Sequence, residues 1–326
     1  MDKKKIKTIN KLKQLLHPIS YIKMKYYCRF IKTEKCKRLI DSNPKKALSI
    51  FWYIRFGKNI DWENVQTLNE KIQWLEAFTD TSKWTEYSDK YLVRNYIKKL
   101  GLEEHLPQLY GVWDKAEDID FTKLPNSFAI KCNHDCGSTV IIKNKDKDLN
   151  KEDLIKHLNR CVSTPFGYEH CEPHYLKIKR CIIAEELLPL SNLNNVEFES
   201  TIDYKIWCIN GKAEFGFICY DRTQDNVVFD AYDLYTWTRK PEKLANAYLN
   251  QNFKPIPKPL NLNLMIEIAE KLSKDFPQVR VDLYNINGKI YIGEMTFTSQ
   301  GGRMDYWSNE FQLELGRKID LPQKSK

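Results

Sequence analysis

The sequence predicts an α+β fold whose sheets are antiparallel. Helical periodicity dominates up to about Leu106, short β-rich runs follow it, and two Asn-Gly dipeptides each join a pair of such runs. An Asn-Gly loop between apolar runs is a strong hairpin signal, because both residues of a type I′ turn need positive φ. With 326 residues, 42% of them hydrophobic and 13% aromatic, the chain can bury a sizeable core and is neither disordered nor fibrous.

The elements follow in order. From Lys3 to Arg38 basic residues interleave with apolar ones, and Ile9, Leu12 and Leu16 fall at helical spacing. His17-Pro18 predicts a break, since the residue before proline avoids the helical region. Leu68, Ile72 and Leu75 share one helix face and should pack on the core. A further helix is read over residues 88–100, with Ser88 as N-cap and Gly101 ending it. Residues 127–132 and 139–142 read as strands joined by a polar turn containing Gly137, and residues 180–185 as a third strand. Asn210-Gly211 joins residues 204–209 to 213–218, and Asn287-Gly288 joins 279–284 to 289–295. Residues 221–260 read as a polar loop, followed by a helix near residues 262–275.

The net charge of +9 is unevenly distributed: residues 1–46 carry +12 and the other 280 carry −3. A net acidic body without a recognised reader motif argues against nucleic acid. The basic amphipathic arm suits an anionic membrane surface, or equally a solvated helix packed on its own body. No window approaches 18 consecutive apolar residues and no signal peptide is evident, so a cytoplasmic protein is expected, with its nine cysteines as thiols.

The second hairpin carries the most chemistry. Asp282 and Glu294 lie on adjacent strands at about the same level, and two carboxylates buried together are costly without a partner. Mg²⁺ would supply one, being commonly held by one or two carboxylates and substrate phosphates. Arg280 shares a strand face with Asp282, where it suits a transferring phosphoryl group. A cross-strand ion pair of Arg280 with Glu294 explains the same residues. Lys131 leads into Cys132-Asn133-His134-Asp135-Cys136-Gly137-Ser138, a turn able to surround phosphates, though a surface turn would look alike.

Together these segments resemble the ATP-grasp superfamily. Ser88-Asp89-Lys90-Tyr91-Leu92-Val93-Arg94 is similar to its S-D-K-x-x-x-R helix start, Asn126-Ser127-Phe128-Ala129-Ile130-Lys131 to the strand of its second ATP lysine, and Ile183-Ala184-Glu185-Glu186-Leu187-Leu188 to its hinge strand. Arg280-Val281-Asp282 with Glu294-Met295-Thr296 resembles the R-x-D … E-x-N signature. The resemblance implies ATP contacts from Lys90, Lys131, His134, Gly137, Ser138, Glu185, Glu186 and Leu188. It implies two Mg²⁺ ions on Asp282, Glu294 and Thr296, with Arg280 and Lys205 as catalytic residues. Thr296 stands where the pattern has Asn, and the glycine loop is short. The organisation implied is a basic helical arm at 1–46, a helical region at 47–125 and an ATP-grasp domain at 126–320. That domain divides into a nucleotide-gripping part at 126–190 and a metal-binding part at 200–320.

Asp203-Tyr204-Lys205-Ile206-Trp207 with Asn210-Gly211-Lys212, and Gly293-Glu294-Met295-Thr296-Phe297-Thr298, narrow the resemblance to the teichuronopeptide-biosynthesis (TupA-like) branch. Its members sit among capsule and cell-wall polysaccharide genes and are often labelled glycosyltransferases. The implied activity is an ATP-dependent carboxylate–amine ligase, joining a uronic acid of a glycan or lipid-linked saccharide to a small amine such as an amino acid. Ser299, Gln300, Gly301, Gly302 and Arg303 would lie on the acceptor side. Residues 1–46 would touch anionic membrane at its inner face.

Two other classes compete. A glycosyltransferase would want an Asp-x-Asp at a strand end, and Asp118-x-Asp120 and Asp146-x-Asp148 lie in polar stretches instead. A non-catalytic ATP- or membrane-binding module is at odds with the presence of Lys90, Lys131, Asp282 and Glu294. Zinc on Cys132, Cys136 and His134, or on His170, Cys171 and His174, has poor spacing.

Overall fold

The computed structural model describes residues 18–190, 198, 200–223, 227–249 and 253–325. The helical spacing of Ile9, Leu12 and Leu16 lies outside the described residues. Helix α1 (Pro18–Phe30) starts at the proline that predicted a break, and α2 (Glu34–Ser42) and α3 (Pro44–Phe56) follow. Thr33 and Asn43 cap α2 and α3 with side-chain oxygens, and Gly57 ends α3 at φ 70°. Cys36 and Ile40 of α2 share a core with Ala47 and Leu48 of α3. A division at residue 46 therefore cuts through a packed layer.

Thr67 and Glu70 form a capping box at the start of α4 (Leu68–Phe78), which buries Leu68, Ile72 and Leu75 as their spacing requires. The helix expected over residues 88–100 is two. Ser88 ends α5 (Ser82–Ser88), and α6 (Val93–Lys99) begins after a turn in which Asp89 Oδ1 accepts from the N–H groups of Tyr91 and Leu92. The carboxylate is the better cap here, because it satisfies two amides at once. Gly101, at φ 65°, closes α6 as expected.

The first sheet contains β1 (Leu109–Trp113), β2 (Phe128–Cys132), β3 (Val140–Ile142) and β4 (Ile182–Glu185) in the order β1-β4-β2-β3. All its pairings are antiparallel. Ala116, Ile119, Phe121 and Leu124 join Phe128, Ile130, Ile182 and Ala184 in one core. The unit therefore begins near residue 107, where the sequence texture changes, and not at 126.

The second sheet has the order β7-β6-β5-β8-β9, from β5 (Asp203–Ile209), β6 (Lys212–Tyr220), β7 (Val228–Tyr232), β8 (Gln278–Ile286) and β9 (Lys289–Thr296). Both Asn-Gly turns are two-residue loops with positive φ at each position. β7 occupies part of the stretch expected to be a loop. A helix over Leu262–Ser273 packs on one face through Met265, Ala269 and Leu272. Trp207, Phe215 and Phe217 on the other face lie under Trp307, Tyr306 and Phe311. No helix among the described residues is long and apolar enough to cross a membrane.

Candidate active site

The pairing of β8 with β9 slips once. Ile286 pairs with Lys289 and Leu283 with Ile292, but Asp282 pairs with Glu294, leaving Gly293 as an extra residue. Such a bulge inverts the side-chain alternation beyond it. Ile290 and Ile292 stay in the core, while Glu294 and Thr296 join the face of Arg280 and Asp282. Glycine suits the bulge, because a Cβ at 293 would lie 3.0 Å from the Tyr284 ring and 3.1 Å from the Asp282 carbonyl oxygen.

Two cross-strand rows result. Lys205, Asp282 and Glu294 are partners across β5, β8 and β9, and Trp207, Arg280 and Thr296 form the next row. Arg280 grips Asp282 with two donors, Nε to Oδ1 at 2.7 Å and Nη2 to Oδ2 at 2.8 Å. Lys205 also donates to Asp282 Oδ2 and lies 2.9 Å from Asp203 Oδ2. Arg280 further reaches Ser299 Oγ at 2.6 Å, Thr296 Oγ1 at 3.0 Å and Glu294 Oε1 at 3.4 Å. The cross-strand ion pair of Arg280 with Glu294 is thus present, but Asp282 is the guanidinium's main partner.

From the first sheet's side, Lys90 Nζ donates to the Asp135 carbonyl at 2.6 Å and stands 3.7 Å from Glu294 Oε2. Lys131 on β2 pairs with Glu185 on β4, and Arg94 Nη1 lies 3.9 Å from the same carboxylate. Burial alone would push the Glu294 carboxyl up, yet Lys90, Lys205, Arg280 and Lys131 outweigh it and hold it at about 2. Burial pushes Asp282 up, with Arg280 and Lys205 pulling against it. Lys205 would be lowered by burial, but Asp203 and Asp282 reverse this and keep it protonated.

Other sequence-predicted residues have different surroundings. His134 is buried, its Nε2 bonded to the Thr164 carbonyl at 3.0 Å, and burial lowers its pKa, so it ties down the turn as a neutral ring. Ser138 Oγ donates to Asp135 Oδ1 and accepts from the Cys132 N–H, which closes the same turn. Nothing lies within 4 Å of a Cβ built on Gly137, so no close approach requires glycine there. Glu186 is bound to the Gln108 backbone and reaches Tyr291 Oη at 3.5 Å, while Leu188 is half-buried beyond β4.

Arg303, expected to face an acceptor, is buried and bonds Gln73 Oε1 and the His170 carbonyl instead. A side chain at Gly301 would strike that carbonyl and Arg303 itself. Both residues lock the loop after β9 onto α4, and only Ser299 of that loop reaches Arg280. Asp118, Asp120, Asp146 and Asp148 are all exposed, away from the converging cations. Sequence reasoning passes over Gly293 as a bulge and Asp203 as the second anchor of Lys205, and gives Arg94 of the S-D-K-x-x-x-R segment no role of its own. The two-residue period from Lys205 pointed to Asp203, whereas nothing in the turn spacing announces the bulge.

The model of the family described as TupA-like ATPgrasp matches residues 70–320. The chain belongs to this family. Among solved structures, this ATP-grasp protein resembles the D-alanine–D-alanine ligase from Helicobacter pylori at 14% identity and a TM-score of 0.40, over 86% of this chain and 70% of that one. The enzyme of the same name from Bacillus anthracis gives 14% and 0.40, over 78% and 69%. The ATP-grasp ligase PsnB, in a complex with minimal precursor, Mg and ADP, gives 11% and 0.35, over 71% of this chain and 57% of that one. No match to a curated protein was found.

The donors of this ATP-grasp site suit a hard cation. Glu294 keeps 34% of its side chain open and has the Thr296 hydroxyl 3.2 Å from Oε1, whereas both oxygens of Asp282 are engaged by Arg280 and Lys205. No group of three or more His, Cys, Asp or Glu able to hold a metal occurs among the described residues. A cation on Glu294 would complete its shell with phosphate and water oxygens, the usual habit of Mg²⁺.

Proposed function

We propose that this protein is an ATP-dependent carboxylate–amine ligase of cell-surface polysaccharide synthesis, joining a uronic acid carboxylate of a glycan or lipid-linked saccharide to an amino acid or similar amine. The observation that carries the ATP-dependent step is the convergence on Glu294 of Lys90 at 3.7 Å and Arg280 at 3.4 Å, with Lys205 and Lys131 near enough to lower its pKa. Arg94 beside Glu185 and Arg222 beside Asp203 bring the cations around Glu185, Asp203, Asp282 and Glu294 to six among the described residues. Such a concentration of positive charge favours a polyanionic occupant such as a triphosphate. The uronic acid and the polysaccharide setting follow from the family resemblance.

Mg²⁺, when bound at Glu294 and Thr296, would neutralise phosphate oxygens and favour attack at the γ-phosphorus. In the proposed sequence the acceptor carboxylate attacks that phosphorus and ADP leaves with the electron pair of the broken P–O bond. An amine then attacks the acyl carbon of the acyl phosphate, inorganic phosphate leaves with the electron pair of the broken C–O bond, and the nitrogen gives up a proton to solvent as the amide forms. Lys90 and Lys131 hold the nucleotide. Arg280, kept charged by Asp282 and aimed by Ser299, stabilises the oxyanion of the second step. Lys205 adds a second cation to Asp282 and bridges it to Asp203.

The test is ADP release from the purified chain with Mg²⁺-ATP, screened over uronic acid acceptors and amino acids, with mass spectrometry of products. Release that needs both a carboxylate and an amine, with a product mass equal to their sum less water, supports the reading. A nucleoside diphosphate released from a sugar nucleotide without ATP use would make the enzyme a glycosyltransferase instead.

A further inference from the structure

We propose that α1 docks the protein on an anionic lipid bilayer through the face that carries Ile22, Lys25, Tyr26 and Arg29. Ile22 and Tyr26 stand one helical turn apart and are 67% and 63% exposed, so two large apolar side chains sit side by side on the water-facing side of the helix. Lys25 and Arg29, both exposed, flank them. Residues 23–38 hold seven basic residues and one acidic residue, within a segment of 46 that carries +12. Apolar side chains set between basic ones are the pattern of a helix lying at a membrane interface, where the rings and aliphatic chains enter the headgroup boundary and the cations meet lipid phosphates.

The opposite face fixes this orientation. The Tyr27 ring meets Tyr53 of α3 edge-on at 5.7 Å, and Lys23 Nζ lies 4.2 Å from the Tyr53 ring centroid. Rotating Ile22 and Tyr26 inward would break both contacts. A second copy of the chain is a poor occupant, because it would bring the same excess of positive charge against itself. Nucleic acid would meet the cations but leave Ile22 without an apolar partner.

The docked helix would also stand near the candidate site. α3, on which α1 rests, places Phe51 5.4 Å from the Arg303 guanidinium and pairs Arg55 with Asp305. Both partners lie in the loop that follows β9, whose Ser299 touches Arg280. One helical layer therefore separates the proposed bilayer contact from the loop nearest the candidate metal strand. This inference does not depend on the ligase reading, since it rests on α1 alone.

Flotation of the full chain with vesicles tests it. Vesicles of phosphatidylglycerol mixed with phosphatidylcholine should carry the protein up the gradient, phosphatidylcholine alone should not, and high salt should release it. The pair Ile22→Asp and Tyr26→Asp should lower the bound fraction at least about ten-fold. The separate pair Lys25→Glu and Arg29→Glu should lower it by roughly five-fold or more for each position changed. Both pairs sit on exposed positions, and melting temperatures equal to the parent's would show that the fold is kept. Equal flotation with neutral vesicles would overturn the proposal. So would binding unchanged by both pairs, or stronger retention on a DNA duplex than on anionic vesicles at the same salt.

Discussion

Asp282 and Glu294 face one another across β8 and β9 because Gly293 is an extra residue in the ladder between them. A tight Asn-Gly turn without the bulge would set Asp282 against residue 293 and turn Glu294 to the core face with Ile290 and Ile292. Replacing Gly293 by Ala tests this arrangement. The new Cβ would press on the Asp282 carbonyl at 3.1 Å, which the flanking strand pairings hold in place. A displacement of about 1 Å in reacting groups can cost roughly a hundred-fold in rate. The expected outcome is ATP turnover reduced by about ten- to a hundred-fold with only a small fall in melting temperature. Unchanged turnover would mean that the bulge does not aim Glu294.

Lys205 joins Asp203 and Asp282, and its side chain is 10% exposed. Lys205→Met leaves Asp282 to Arg280 alone and Asp203 to the half-exposed Arg222 at 3.6 Å, and losing one partner of a buried pair costs up to about 3–5 kcal/mol. The double change Lys205→Met with Asp203→Asn should recover part of that loss, because the carboxylate left with only the distant Arg222 is gone. Chemical denaturation of the single and double variants measures the coupling. Strict additivity would show that Asp203 and Lys205 do not share their energy.

Much of this site was legible in the sequence, and the parts that were not have identifiable physical causes. Asn210-Gly211 and Asn287-Gly288 located both hairpins to the residue, since positive φ at two successive positions leaves few alternatives. Local spacing also put Asp282, Arg280 and Glu294 in one neighbourhood. It could not show that Asp282 would be gripped by Arg280 and Lys205 while Glu294 stays open, because that division depends on a third strand, β5, distant in sequence. The resemblance implies an acceptor-side place for Arg303 and a nucleotide contact for His134. Their burial against Gln73 and Thr164 is tertiary information that no local pattern carries. β7 was missed for the same reason, its strand character coming from pairing with β6.

Glu294 makes acid stability a probe of the cation cluster. Its carboxyl sits at about 2, below its usual value of 4.5. A depressed pKa stabilises the fold above the unfolded value, and that contribution is lost as pH falls from 4.5 through 2. The melting temperature of the parent should therefore drop more steeply across this window than that of Glu294→Gln. The same variant should lose ADP release on the order of a hundred-fold, since the one open carboxylate of the row becomes neutral. Parallel acid profiles for parent and variant would sink the account of the cluster.

Glu172 behaves in the opposite sense. It is buried beside His174, Glu76 and Arg303 and accepts a hydrogen bond from Thr298 Oγ1 at 2.5 Å. Burial raises its carboxyl to about 7, against the pull of His174 and Thr298. With the folded pKa above the usual 4.5, stability is full below 4.5 and falls as pH rises through 7. The loss on this account is at most about 3 kcal/mol, from a shift of roughly two and a half pKa units. Glu172→Gln keeps a neutral group of similar shape and cannot ionise. Its melting temperature should change less between pH 5 and 8, so that the variant gains on the parent at the alkaline end. Calorimetry of both proteins across that range decides the matter, and a constant difference between them would show that Glu172 is already ionised in the fold at pH 5.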